Sequence, residues 1–208
     1  MRLWMILLIV ATLSTNPAKA ASLRLAIVTA SNAEVTNRGK SFAGIQTRVE
    51  RPVKRAVELA LFESKTTFKE FGITPELQLI DIDKKRPLND QLKEIHSDAL
   101  VILDLPKSVF IEAATFLDKD GHTTVNVRHP DIDLRDTLCL PSLYHTIPSE
   151  RMYFDALGQF LIYRGWRKVL VVHGPTDEDK SRTQILVRSL EKFGADISDL
   201  REFTLSHH

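Results

Sequence analysis

Four short polar stretches follow apolar, β-branched runs in this sequence, and their side chains are the ones able to hold a small molecule. After LRLAIV (residues 23–28) come Thr29, Ser31 and Asn32. These hydroxyl and amide groups can bond a small polar ligand or turn back onto their own backbone. ALVILDL (99–105) carries Asp104 and leads into Pro106, Lys107 and Ser108. A helix start there favours an anionic group, whereas Asp104 suits a cation or a hydroxyl. TTVNV (123–127) is followed by Arg128 and His129. Arg128 either grips a carboxylate through two parallel hydrogen bonds or forms a solvated surface pair. KVLVV (168–172) is followed by His173, Gly174 and Thr176, with His173 either a ligand contact or a loop histidine bonded to backbone. The candidate ligand-binding set is therefore Ser31, Asn32, Asp104, Lys107, Ser108, Arg128, His129 and His173.

No enzyme constellation accompanies them. A dinucleotide fold would need G-x-G-x-x-G after Val28, and neither that nor G-x-x-x-x-G-K-[ST] occurs. Asp177-Glu178-Asp179 has the residue types of a metal cluster, but acidic residues in a helix's first turn complement its dipole. Cys139 is the only cysteine, so no disulfide can form within the chain. It is expected to be a buried, inert thiol, or else to bridge to sequence outside this chain. Trp166, beside Arg164 and Arg167, reads as packing at a helix end rather than as a nucleic-acid stacking platform. No catalytic residue, cofactor or metal site is expected.

The four stretches are spaced by an alternation of strand-like and helix-like segments. Pro52 suits a helix start, and Val53, Ala56, Val57, Ala60 and Leu61 make an apolar stripe at helical spacing, with Gly72 as a stop. ELQLIDID (76–83) alternates as a strand does; Leu88, Leu92 and Ile95 mark a short helix. Residues 99–105 are apolar enough to be covered on both faces. Phe110, Ala113, Ala114 and Leu117 give the next helix, and 123–127 a fourth strand. Strands separated by single helices imply parallel pairing with right-handed crossovers. LYHTIPSE (143–150) then runs a short strand into a proline corner with Ser149 placed to cap a helix. A strand at 168–172, a helix carrying Thr183, Leu186, Val187, Leu190 and Phe193, and a strand-like run from Ile197 to Leu205 follow.

The bulk numbers exclude charge-driven partners. Of the 208 residues, 28 are basic and 27 acidic, for a net charge of +1, so neither nucleic acid nor a membrane surface is called for. Met1-Arg2, the apolar run 3–13 and Ala18-Lys19-Ala20 read as a secretory signal peptide cut after Ala20. The apolar run is shorter than the roughly 20 residues that span a bilayer, so no membrane insertion is expected after cleavage. The expected divisions are 1–20 signal peptide, 21–142 first α/β lobe, and 143–208 crossover and start of a second lobe.

Three segments, FAGIQTRVERPVKRAVELALFE (42–63), VNVRHPDIDLRDTLC (125–139) and HTIPSERMYFDALGQFLIYRGWRKVLVVHGP (145–175), resemble type I periplasmic binding proteins of the branched-chain amino acid family. The details are most similar to the ABC-transporter substrate-binding proteins associated with PQQ-dependent alcohol dehydrogenase systems: Asn126-Val127, Leu134-Arg135, Cys139, His145 to Ser149, Ala156-Leu157 and Arg164 to Lys168. The resemblance implies two Rossmann-like α/β lobes joined by crossover strands. It also implies a small organic solute between them, delivery to a membrane permease, and a periplasmic location. Asp104-Leu105-Pro106 departs from the small hydroxyl residues with which amino-acid binders line that loop, which argues against an amino-acid ligand. A full member of this family continues well past His208, so the second lobe is expected to be incomplete within this sequence. Two other functions fit the same residues: an enzyme on this fold acting on a small metabolite, and an interaction protein that keeps the first lobe without transport.

Overall fold

A computed structural model of the chain describes residues 21–30 and 52–203. Ser31, Asn32 and the expected signal peptide lie outside these residues. Seven strands and seven helices follow one another: β1 (Ala21–Ala30), α1 (Pro52–Glu63), α2 (Lys65–Glu70), β2 (Ile73–Ile82), α3 (Leu88–Leu92), β3 (Leu100–Asp104), α4 (Lys107–Lys119), β4 (Thr124–Asn126), α5 (Asp133–Asp136), β5 (Leu143–His145), α6 (Glu150–Tyr163), β6 (Lys168–His173), α7 (Asp177–Lys192) and β7 (Asp196–Glu202), counting described residues only.

The first five strands form one parallel sheet in the order β2-β1-β3-β4-β5. A single row of paired residues, Leu79, Ile27, Ile102, Val125 and Tyr144, crosses the whole sheet. Ile27 is fully buried at its centre, whereas Leu79 and Tyr144 at the two edges are 46% and 60% exposed. The central strands are thus covered on both faces, as parallel pairing requires. On the opposite face α4 lays down Phe110, Ala113, Ala114 and Leu117, all fully buried, against a core that includes Ala26, Val28, Val101 and Leu103. Those four helical positions repeat at three and four residues, the spacing of one helix face. The α1 stripe is covered less well: Val53, Val57 and Leu61 are half-buried, and Ala56 and Ala60 are exposed.

The run at 143–145 leads out of this sheet from within it. As β5 it pairs in register with β4, and Thr146 keeps two bonds to the Asn126 carbonyl before the chain turns at Ile147-Pro148-Ser149. Ser149 caps α6 by accepting from the Met152 backbone N–H at 3.2 Å. Beyond the corner β6 and β7 pair with each other in a separate parallel sheet. Here α7 starts on a capping box, with Thr176 and Asp179 exchanging side-chain and backbone bonds. The acidic run at 177–179 is therefore a helix start. α6 and α7 meet where Gly158 leaves room for Phe193, whose ring would lie 3.0 Å from any added Cβ. Val171, Leu190 and Ala195 are the buried centre of this unit, while Leu170 and Val172 on the other side of β6 are exposed.

Cys139 corrects the expectation of a buried thiol. It is exposed and sits at φ +39°, in the left-handed region that disfavours a side chain.

The two cores differ greatly in size, and local stability follows the buried apolar area. Leu190→Ala should cost about 2–5 kcal/mol and raise amide exchange in residues 150–203 while β1 and β3 stay protected. Hydrogen-exchange mass spectrometry checks this, and equal deprotection of both sheets would contradict it.

Candidate functional site

The chain leaves β1 toward β2 on one side and returns to pair β3 on the other. In open parallel sheets the crevice outside the carboxyl ends at such a reversal is where ligands bind. Asp81, Thr29 and Asp104 stand there in one paired row, on the face turned away from α4. The Thr29 hydroxyl donates to Asp81 Oδ1 at 3.5 Å. One residue back, on the α4 face, Leu103, Asn126 and His145 form the neighbouring row.

Arg128 enters this edge from the loop after β4. Its Nη1 lies 3.4 Å from Asp104 Oδ1, with the two side chains 25% and 13% exposed. A guanidinium has five N–H donors, and this one long contact is its only side-chain polar partner among the described residues. Two of the candidate groups, Asp104 and Arg128, are thus brought together in a partly covered position with donor capacity remaining.

The other candidates sit differently. Lys107 reaches Asp131 at 2.5 Å and Asp133 at 3.2 Å. Burial draws its pKa down, but the bonds to Asp131 and Asp133 outweigh that and raise it. It is therefore a charged clip between α4 and the loop before α5. Ser108 is exposed in the first turn of α4. His129 is buried, with its Nε2 donating to the Leu105 carbonyl at 2.8 Å and its ring edge-on to Phe110 at 5.0 Å. That makes it a loop histidine with a backbone partner. His173 lies in the second unit, its Nδ1 donating to the Gly174 carbonyl at 2.7 Å. It lines a cleft of about 450 Å³ together with Phe154, Thr176, Asp179, Arg182 and Phe203. A Cβ at Gly174 would come within 2.3 Å of Asp179 Oδ2, so a side chain there would push the Asp179 carboxylate out of its place.

The two regions adjoin along the loop 128–136. Arg182 binds Glu150 at 2.8 Å, the Glu150 N–H donates to the Pro130 carbonyl at 2.9 Å, and Glu150 first, then Glu178 and last Asp131 hold the Arg182 pKa up. Asp81, Asn126, His145 and Arg182 were absent from the sequence-based set. Asp81 had a signal, because ELQLIDID ends on an aspartate as ALVILDL does. Arg182 had none, because only the packing of α7 beside α6 turns it toward the loop.

No protein-family model matches the sequence, and no curated protein does. Solved structures do share the fold. A putative branched-chain amino acid ABC transporter protein from Rhodospirillum rubrum superposes with a TM-score of 0.65 at 16% identity over 89% of this chain and 51% of its own. An ABC transporter substrate-binding protein from Desulfitobacterium hafniense in complex with Leu gives 0.61 at 14% identity, over 89% and 52%. An R. palustris solute-binding protein in complex with benzoate gives 0.50 at 15%, over 90% and 49%. The chain spans about half the length of these structures. Its fold is the Rossmann-like parallel lobe of type I periplasmic binding proteins, followed by a crossover strand and part of a second α/β lobe.

Burial is the first cause holding the His129 pKa below its ordinary 6.5. The unfolded chain then takes up a proton first as pH falls below 6.5, so this residue subtracts stability in acid and has no effect at alkaline pH. Urea unfolding at about pH 7.5 and about pH 5 should show wild type losing stability with acid and His129→Gln losing less. A steeper acid loss in the variant would contradict the assignment.

Proposed function

We propose that this chain is the amino-terminal part of an exported, non-enzymatic solute-binding protein that serves an ABC importer. In this reading a signal peptide is removed after Ala20, residues 21–142 form the first lobe, and 143–208 form the crossover and the start of the second. A small organic solute is held in the periplasm between the lobes and passed to a permease. The observation that carries the reading is the handover at Ile147-Pro148-Ser149 from a five-stranded parallel sheet to a separate parallel sheet, with polar side chains collected at the carboxyl edge of the first.

Within that site Arg128 is the contact for an anionic group and Asp104 the contact for a hydroxyl. Lobe closure would bring His173 and its cleft against the bound solute. Two of the similar structures hold Leu and benzoate, which share a carboxylate, and a guanidinium is the side chain whose geometry matches one. A solute carrying both a carboxylate and a hydroxyl uses both residues of the Asp104–Arg128 pair. The likeness of segments 125–139 and 145–175 to proteins of PQQ-dependent alcohol oxidation extends this to a place in that metabolism, with an alcohol or its acid product as cargo.

Titration calorimetry of the chain against short hydroxy acids, matched unsubstituted acids and matched alcohols tests the reading. Removing a hydrogen bond to a charged group costs about 1.5–3 kcal/mol, so Arg128→Ala should weaken acid binding by about tenfold or more. Asp104→Asn should reduce the preference for the hydroxyl. Binding of acids untouched by Arg128→Ala would move the site elsewhere, and native mass spectrometry of protein from its source compartment would show which solute travels with it.

A further inference from the structure

Asn126 is fully buried at the end of β4, and every hydrogen-bonding capacity of its amide is used. Its Oδ1 accepts from the backbone N–H groups of Arg128 at 3.0 Å and His129 at 2.9 Å. Its Nδ2 donates to the His129 carbonyl at 2.7 Å and meets His145 Nδ1 at 2.9 Å. Backbone N–H groups can only donate, so the atom they meet is the amide oxygen and the nitrogen faces His145. An amide nitrogen can only donate in turn, so His145 Nδ1 accepts. The imidazole is therefore neutral, with its proton on Nε2. A proton on Nδ1 would set two donors face to face and abolish the bond.

This bond is one of several that lace the 126–136 loop to the chain leaving the sheet. The Thr146 N–H and hydroxyl both donate to the Asn126 carbonyl at 3.1 Å, Arg135 Nη2 donates to the Ile147 carbonyl at 2.7 Å, and the Glu150 N–H donates to Pro130. Of these links only the one through His145 has a group that titrates between about pH 5 and 8. Burial first and the Arg135 charge second hold the His145 imidazole below its ordinary 6.5. The other groups around it do not offset this. Asn126 is neutral, His129 lies across it with Asp131 3.8 Å from its ring, and at the start of α6 Glu150 and Arg151 are engaged by Arg182 and Asp136.

We propose that His145, acting through Asn126, is the positioning residue for the Arg128–His129 turn, and that a proton on its Nδ1 releases that turn and loosens the exit toward the second sheet. The inference goes beyond the solute-binding reading and holds whether or not the turn meets a solute, so its test uses the chain without ligand. Nitrogen-15 spectra of the histidine rings at about pH 7.5 should show His145 as the Nε2–H tautomer; an Nδ1–H tautomer overturns the proposal. Exchange protection of the Arg128 and His129 amides should fall about fivefold between about pH 7.5 and about pH 5, the factor that loss of one ordinary hydrogen bond supplies. His145→Asn, whose oxygen replaces the Nδ1 acceptor without titrating, should keep that protection level across the same range. No fall in wild type overturns the proposal, and a fall as large in His145→Asn as in wild type assigns the release to His129 and does so too. Should His145→Asn fail to fold, His129→Gln decides: the fall must persist there, and its disappearance is fatal.

Discussion

Parallel pairing of β1 with β2 on one side and β3 on the other decides where the polar residues of this protein land, because in parallel strands all carboxyl ends meet at one edge. That pairing is possible only while both faces of the central strands are dry. Ile27 and Ile102 on one face, with Val28 and Leu103 on the other, meet the condition. Asp81, Thr29 and Asp104 extend the same strands by one pleat beyond the buried row. Three polar side chains thus converge without any contact between them having to drive the convergence.

The side of the edge nearest β4 is organised by backbone satisfaction rather than by charge. A turn that leaves a strand end at 127–130 has N–H groups that must find acceptors, and the Asn126 amide supplies one for both Arg128 and His129. His129 returns the constraint by bonding the Leu105 carbonyl at the end of the neighbouring strand β3. Arg128 is consequently presented by a turn closed at both ends, with Asp104 beside it. Lys107, Asp131 and Asp133 form an outer clip on the same loop. Exposed pairs of that kind contribute little to stability, so their effect is on the loop's position.

The second sheet is the less finished of the two. Leu170 and Val172 are exposed on β6, and Tyr153, Leu157, Phe160 and Tyr163 are exposed on α6. A parallel sheet is stable when helices cover both faces, and among the described residues helices cover one. Trp166 is half-open as well, touching Phe160 edge-on at 6.2 Å with the Arg164 guanidinium over its ring. Structures sharing the fold are about twice as long, which agrees with the surface left open here.

Much of this was legible in the residues before any coordinates. Period-two and helical patterns marked the strands and the longer helices of the described chain, though neither the short α5 nor the break between α1 and α2; Ser149 announced its cap, and the alternation of elements required parallel pairing. Those features depend on neighbours within a few residues, and so they are written locally. Two things were not legible locally. Strand order is one, since nothing in LYH at 143–145 distinguishes a sheet's fifth strand from a connector until it pairs with Asn126 and its neighbours. The fate of each polar side chain is the other. Lys107 and Arg128 are equally plausible anion contacts in the sequence, but Lys107 meets two carboxylates from residues 131 and 133 while Arg128 meets one at long range. Residue type determines what a group can bond, whereas packing between segments distant in the chain decides which partner arrives first and which donors are left.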